Sequence, residues 1–198
     1  MSINSIDKGH HLVTYCGVKA IKCPFDYVIY QMILNEVKPD LVIEVGTNIG
    51  GGTLYIADIL DKIGNGIVHT IDINDVVDPL VKKHKRIKFF MDGWENYDLK
   101  QARGYKKILV IEDSSHTYQN TINVMKKFQE LVSINSYFII EDGIVNELGK
   151  EKEFDGGPLR AIREFLSYNN DFVVDRKWCD MFGKNATFNV NGYIKRIS

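Results

Sequence analysis

Apolar and polar positions along the chain alternate between two periods, and the alternation outlines a series of elements. Phe25, Val28, Ile29, Met32 and Ile33 share one face at helical spacing behind Pro24, which predicts a helix to about Val37. Pro39-Asp40 stops it, and Leu41, Val42, Ile43 and Val45 form a continuous apolar run, as in a parallel strand covered on both faces. A helix over 53–63, the turn Gly64-Asn65-Gly66 and a second strand over 67–73, closing on Asp72, come next. Residues 87–91 predict a third strand, residues 95–104 a short helix or loop, and residues 107–112 a fourth strand. Tyr118, Ile122, Met125, Phe128 and Val132 then recur at spacings of three and four, marking another helix. Tyr137 to Ile140 is a fifth strand. Gly157-Pro158 opens a last helix with Leu159, Ile162, Phe165 and Leu166 inward, and residues 172–174 and 188–197 are closing strands. Residues 1–24 show no clear periodicity and are expected to be irregular. Residues 144–156, charged and flanked by glycine, are long enough for a mobile lid.

Strands separated by single helices imply a doubly wound, Rossmann-like α/β fold, mostly parallel and with an antiparallel closing strand. The 198 residues read as one domain without internal repeats. Composition excludes several functions. A net charge of −1 argues against a nucleic-acid surface, and the basic run at 82–86 reads as a solvated helix end. No apolar stretch is long enough to span a membrane, and the first residues lack the core of a signal peptide. Cys16, Cys23 and Cys179 form no C-x-x-C pair and no metal spacing, so they read as reduced thiols in a cytoplasmic protein.

The chemistry concentrates at the first strand-turn-helix. The dinucleotide fingerprint G-x-G-x-x-G is absent, because Asn48 stands where its second glycine would be. Instead Glu44-x-Gly46-x-x-x-Gly50 places an acid two residues before the first glycine, a spacing that resembles the first motif of S-adenosylmethionine (SAM)-dependent methyltransferases. SAM carries a sulfonium and an ammonium group but no phosphate, so an acidic rim suits it and would repel a pyrophosphate. Gly46, Thr47, Asn48 and Gly50 would line the cofactor.

Five strands in succession end in acids: Glu44, Asp72, Asp92, Asp113 and the Glu141-Asp142 pair. Carboxylates crowded at one sheet edge repel unless a cation binds. Asp72 is placed to accept from ribose hydroxyls. Asp92, with Gly93, could meet the adenine amino group beside Trp94. Asp113, Glu141 and Asp142 offer hard oxygen ligands suited to Mg²⁺ or another divalent cation. His116, three residues past Asp113, is a candidate base, since an unperturbed imidazole titrates near about 6.5. His69 within a strand, and His10 and His11 near the start, read as structural or solvated. No triad of two histidines and one carboxylate is apparent.

These residues resemble the cephalosporin hydroxylase and rhamnosyl O-methyltransferase family of SAM-dependent, metal-assisted O-methyltransferases. The likeness is carried by Tyr15-Cys16-Gly17-Val18, Pro24-Phe25-Asp26, the stretch from Lys38 to Gly46, Asp113-Ser114-Ser115-His116-Thr117-Tyr118, the stretch from Tyr137 to Asp142, Gly157-Pro158-Leu159, and Asn191 to Arg196. It implies SAM at Glu44, Gly46, Asp72 and Asp92 and a divalent metal at Asp113, Glu141 and Asp142, with Asp113 facing the cofactor as well. Two departures are Ser115, where an acid is common, and Asp92-Gly93, where a Gly-Ser pair is frequent.

The expectation is methyl transfer from SAM to a hydroxyl of a sugar or polar metabolite, the N-terminal segment and residues 144–156 lying near the acceptor. The rival is a SAM- or nucleotide-binding module without catalysis that acts through a partner. Three adjacent acids argue against it. The acceptor carries no motif, and a homo-oligomer is left open.

Overall fold

The computed structural model describes residues 3–198 and divides the chain into two compact units, Met1–Lys107 and Ile108–Ser198. The first opens with a helix α1 (Ile3–His10) and a two-residue hairpin of β1 (Thr14–Tyr15) and β2 (Val18–Lys19), where irregular chain was expected. The pattern hid both. In α1 only Ile3 and Ile6 are apolar, and the hairpin strands are too short to alternate. Its turn residues Cys16 and Gly17 both have positive φ, as two-residue hairpins require, but cysteine is not the residue that announces such a turn.

α2 (Pro24–Val37) starts on its proline and ends at Lys38, whose left-handed backbone turns the chain before Pro39. β3 (Leu41–Val45) is buried at every position. It is followed by α3 (Gly51–Ile63), β4 (Ile67–Ile71), the short α4 (Pro79–Lys82) and β5 (Ile87–Phe90). The three strands pair in parallel in the order β5-β4-β3, Val45 opposite Ile71 and Ile71 opposite Phe90, so all three finish at one edge. The basic run after α4 is less solvated than expected. His84 Nε2 meets Asp58 at 3.2 Å and Asp61 at 3.3 Å, and Arg86 pairs with Asp61 and donates to the Gly66 carbonyl.

The second unit holds β6 (Ile108–Glu112), α5 (Tyr118–Phe128), β7 (Tyr137–Ile140), α6 (Gly157–Tyr168), β8 (Phe172–Val174), α7 (Arg176–Cys179) and β9 (Tyr193–Arg196). Its strand order is β6-β7-β9-β8: β6 and β7 run parallel, and β9 lies antiparallel between β7 and β8. The expected closing strand over 188–197 shrinks to β9, because Asn191-Gly192 turns ahead of it. A Cβ on Gly192 would stand 1.9 Å from the Ile140 carbonyl, so only glycine lets β7 and this turn meet. Phe128, Tyr137, Phe138, Phe165, Trp178 and Tyr193 are almost wholly buried. Trp178 Nε1 donates to the Tyr137 hydroxyl (2.9 Å), which donates to Asp175 (2.7 Å), so the one polar atom of each large ring is satisfied.

Residues 144–156 are wound into turns, buried at the start and half-buried or exposed over 154–156. Ile144 and Val145 are in the core, the Ile144 amide donates to the Phe188 carbonyl, and the Phe154 carbonyl accepts from the Tyr118 amide. All three cysteines are free thiols, Cys16 exposed and the other two buried. Among the described residues no helix is long and apolar enough to cross a membrane.

Candidate active site

In the first unit the expected cofactor residues collect where β3, β4 and β5 end. Glu44 is not on the rim. It is buried beneath the turn, where its carboxylate accepts from the hydroxyls of Thr53 (2.5 Å) and Thr70 (2.6 Å), and Thr70 in turn meets the Thr47 hydroxyl at 2.6 Å. One acid therefore ties β3, β4 and α3 together under the glycine turn. A buried carboxylate without such donors would cost several kcal/mol.

Asp72 takes the rim position, just past β4, and its carboxylate is fully engaged. Oδ2 accepts from the amides of Thr47 (2.9 Å) and Asn48 (2.8 Å), and Oδ1 from those of Ile73 (2.7 Å) and Asn74 (3.0 Å). This holds the turn in a shape with positive φ at Gly46, Asn48 and Gly50. A ribose hydroxyl would have to share or displace some of these donors, since a carboxylate offers about four lone-pair sites. The Gly93 amide donates to the Asp72 carbonyl, so Asp92-Gly93 sits beside Asp72 as expected. The Asp92 side chain is exposed, and a cavity lies against it, lined by Phe90, Gly93, Asn96 and Tyr97 among others.

Two contributors were missed. Ile73 is 72% exposed and its Cγ2 would lie 3.1 Å from a Cβ on Gly93, an apolar side chain beside the rim acids; its signal was an apolar residue directly after a strand-ending acid. The hairpin is the other. A Cβ on Gly51 would lie 2.5 Å from the Lys19 carbonyl, Val18 packs with Leu54, Val77 and Val81, and the Tyr15 hydroxyl donates to Asp58. The N-terminal segment is thus seated on the start of α3, and Gly51 is what permits the approach.

In the second unit the structure brings Asp113, His116 and Asp142 together, with one ligand atom from each within 4.8 Å of the others. Glu141 is not in this group; it is buried, and its amide donates to the Glu112 carbonyl. Asp113 and Asp142 stand just past β6 and β7. His116 comes from the loop between β6 and α5, and its Nε2 lies 3.2 Å from Asp142 Oδ2. Glu112, which drew no functional reading, shapes that loop by accepting from the Ser114 amide (3.0 Å), the Ser114 hydroxyl (2.6 Å) and Asn120 (3.0 Å). Burial pushes the Glu112 carboxyl above its usual range, partly offset by those bonds and by His116.

His116 and Asp142 both adopt left-handed backbone, at φ 57° and 54°. For residues without a glycine's freedom this costs about 1–3 kcal/mol and is found mostly at functional sites. His116 Nδ1 is buried and has no hydrogen-bond partner. Burial alone would lower the imidazole pKa, but the carboxylates of Asp142, Asp113, Glu112 and Glu141 outweigh it and raise the pKa above the ordinary value. His69 is the structural histidine it was expected to be, buried with Nδ1 2.7 Å from the Tyr97 hydroxyl. The absence of a two-histidine, one-carboxylate group does not hold, for Asp7, His10 and His11 form one, their ligand atoms also within 4.8 Å.

The family model for Rhamnosyl O-methyltransferase/CmcI matches residues 8–197. A rhamnosyl O-methyltransferase of Mycobacterium leprae is 32% identical over 195 residues, covering 92% of this chain and 82% of its own length. The Mycobacterium tuberculosis protein of the same name is 31% identical over 192 residues, covering 92% of this chain and 78% of its own. A CmcI structure described with magnesium and SAM superposes with a TM-score of 0.70 at 22% identity, over 95% of this chain and 78% of that one. A second, with S-adenosylhomocysteine, gives 0.73 at 18% identity, over 94% and 83%. The doubly wound α/β fold with an antiparallel closing strand is therefore the fold of this chain.

Proposed function

Since this chain belongs to the Rhamnosyl O-methyltransferase/CmcI family, and so is a SAM-dependent O-methyltransferase assisted by a divalent metal, we propose that it methylates a sugar hydroxyl using Asp113, Asp142 and His116. The observation that carries this reading is the convergence of those three side chains just past two parallel strands. The sugar rests on the rhamnosyl O-methyltransferases to which the chain is similar.

The donor set fits a hard divalent ion. One oxygen each of Asp113 and Asp142 and one nitrogen of His116 lie within 4.8 Å of one another, and the other polar group at hand, His116 Nδ1, is buried without a partner. Asp113 and Asp142 would hold the ion, with Glu141 behind them. Mg²⁺ bound there would polarise an acceptor hydroxyl and lower its pKa. His116 does the proton work. The surrounding carboxylates hold its pKa above the ordinary value, and a cation offsetting that field would lower it and favour the neutral imidazole that serves as base.

In the first unit Asp72, Asp92, Gly93 and the turn 46–50 would hold SAM, Glu44 keeping the turn in place from below. Residues 144–156 would close over the acceptor, with buried Ile144 and Val145 as the anchor.

The test is turnover of SAM with L-rhamnosides as acceptors, measured in excess EDTA and again after Mg²⁺ is restored. Methylation lost in EDTA and recovered with Mg²⁺ is expected; undiminished activity in EDTA would overturn the metal role.

A further inference from the structure

We propose that Asp7, His10 and His11 form a second divalent-metal site, one of transition-metal character, in the N-terminal segment. The three stand at positions i, i+3 and i+4, so α1 and the turn after it bring them to one side. A ligand atom from each lies within 4.8 Å of the other two. His10 Nδ1 and Asp7 Oδ1 are 3.7 Å apart, too far for a hydrogen bond. Two donors bound at about 2.1 Å to one tetrahedral ion lie about 3.4 Å apart, so the pair is open by only a few tenths of an ångström. The rings of His10 and His11 lie 4.0 Å apart at 37°.

Exposure supports the same reading. The side chains of His10 and Asp7 are 10% and 20% exposed, while His11 is exposed, so the group has a sheltered floor and an open side. Two imidazoles and one carboxylate suit Zn²⁺, Ni²⁺ or Fe²⁺, whereas the carboxylates past β6 and β7 suit Mg²⁺. With three protein ligands, at least one position is left for solvent or a small ligand.

A second group in the same unit, of two carboxylates and one imidazole, is bonded within itself. In Asp58, Asp61 and His84, His84 Nδ1 accepts from the Arg86 amide, so its proton sits on Nε2 and is donated to the two acids. Arg86 also occupies Asp61. That network is satisfied without a metal.

An ion on Asp7, His10 and His11 would brace the bend from α1 into the hairpin, where the Leu12 and Val13 amides donate to the carbonyls of Gly9 and His10. The experiment is a calorimetric titration of tag-free, metal-stripped protein with Zn²⁺, in an Asp142→Ala background that disables the carboxylate site. One Zn²⁺ per chain is expected, with affinity falling about tenfold or more on adding His11→Ala, an exposed position whose loss leaves the fold intact. Electron paramagnetic resonance of bound Cu²⁺ should show two nitrogen ligands in the Asp142→Ala protein and one after His11→Ala. No binding, or binding unaffected by His11→Ala, would overturn the proposal.

Discussion

Two histidines, one in each unit, sit in opposite electrostatic surroundings. His69 is on β4, wholly enclosed, with one nitrogen bonded to Tyr97 and Lys88 nearby. Burial, and secondarily that lysine, push its pKa down to about 4, so it is neutral at every ordinary pH. The His116 side chain keeps 22% of its exposure, and four carboxylates around it outweigh what burial it has and raise its pKa. Burial alone does not settle a histidine's charge; the nearest ionised groups do. His69 is also hydrogen-bonded and packed among the rings of Phe90, Tyr97 and Tyr105, whereas His116 has a bare nitrogen and a left-handed backbone. The first is a core residue. The second stands in the group it forms with Asp113 and Asp142.

The contrast breaks most severely at Asp142. Asp142→Ala removes a candidate metal ligand and the nearest charge to His116, so turnover should fall by roughly 10³-fold or more, the several kcal/mol that a bound cation supplies. SAM affinity, measured by calorimetry, should barely move. His116→Ala should cut the rate by about 10²–10⁴-fold, the typical worth of a positioned base. Mg²⁺ affinity then separates two roles for this residue: retained if His116 is a base, reduced if it is a ligand.

His69 should show itself in acid stability, not in rate. Its folded pKa is depressed, so the stability it contributes is present above the unfolded value near about 6.5 and is lost as pH falls toward about 4. The loss should reach about 3 kcal/mol, and His69→Phe should flatten that part of the pH–stability curve in urea titrations. His116 has the opposite sign. Its raised pKa stabilises the metal-free fold below about 6.5, and that contribution disappears as pH rises through the raised value. A metal-free protein whose stability does not decline on that alkaline side would remove the contrast.

The smallest effect is expected at Asp72. Its four amide bonds are made without ligand, so SAM gains from it only by exchange. Asp72→Ala should weaken SAM by about 1.5–3 kcal/mol and loosen the turn at Thr47 and Asn48. Faster hydrogen exchange at those two amides would show that the acid builds the turn as well as the site; unchanged exchange would assign it to the ligand alone.

Much of this was legible in the chain. Continuous apolar runs marked β3, β6 and β7 because a strand buried on both faces has no polar alternation to confuse. Pro24, Pro39-Asp40 and the Gly64-Asn65-Gly66 turn marked helix ends, where backbone chemistry is local. The acids at strand ends, and the motif at Glu44-x-Gly46, pointed to the cofactor and metal chemistry for the same reason: alternation and chain direction put successive strand ends at one edge.

What only the tertiary structure decided depends on contacts between distant residues. No periodicity says that β9 inserts between β7 and β8, or that Gly192 must lack a side chain because the Ile140 carbonyl comes so close. Glu44 lies within β3 and was sent beneath the turn to Thr53 and Thr70, whereas Asp72 stands just past β4 and was left outside. The grouping of His116 with Asp113 and Asp142, and the seating of the Thr14–Lys19 hairpin on Gly51, were likewise fixed by packing. A sequence records which residues can bond and bury; which of them meet is set by the energy of the whole chain folding at once.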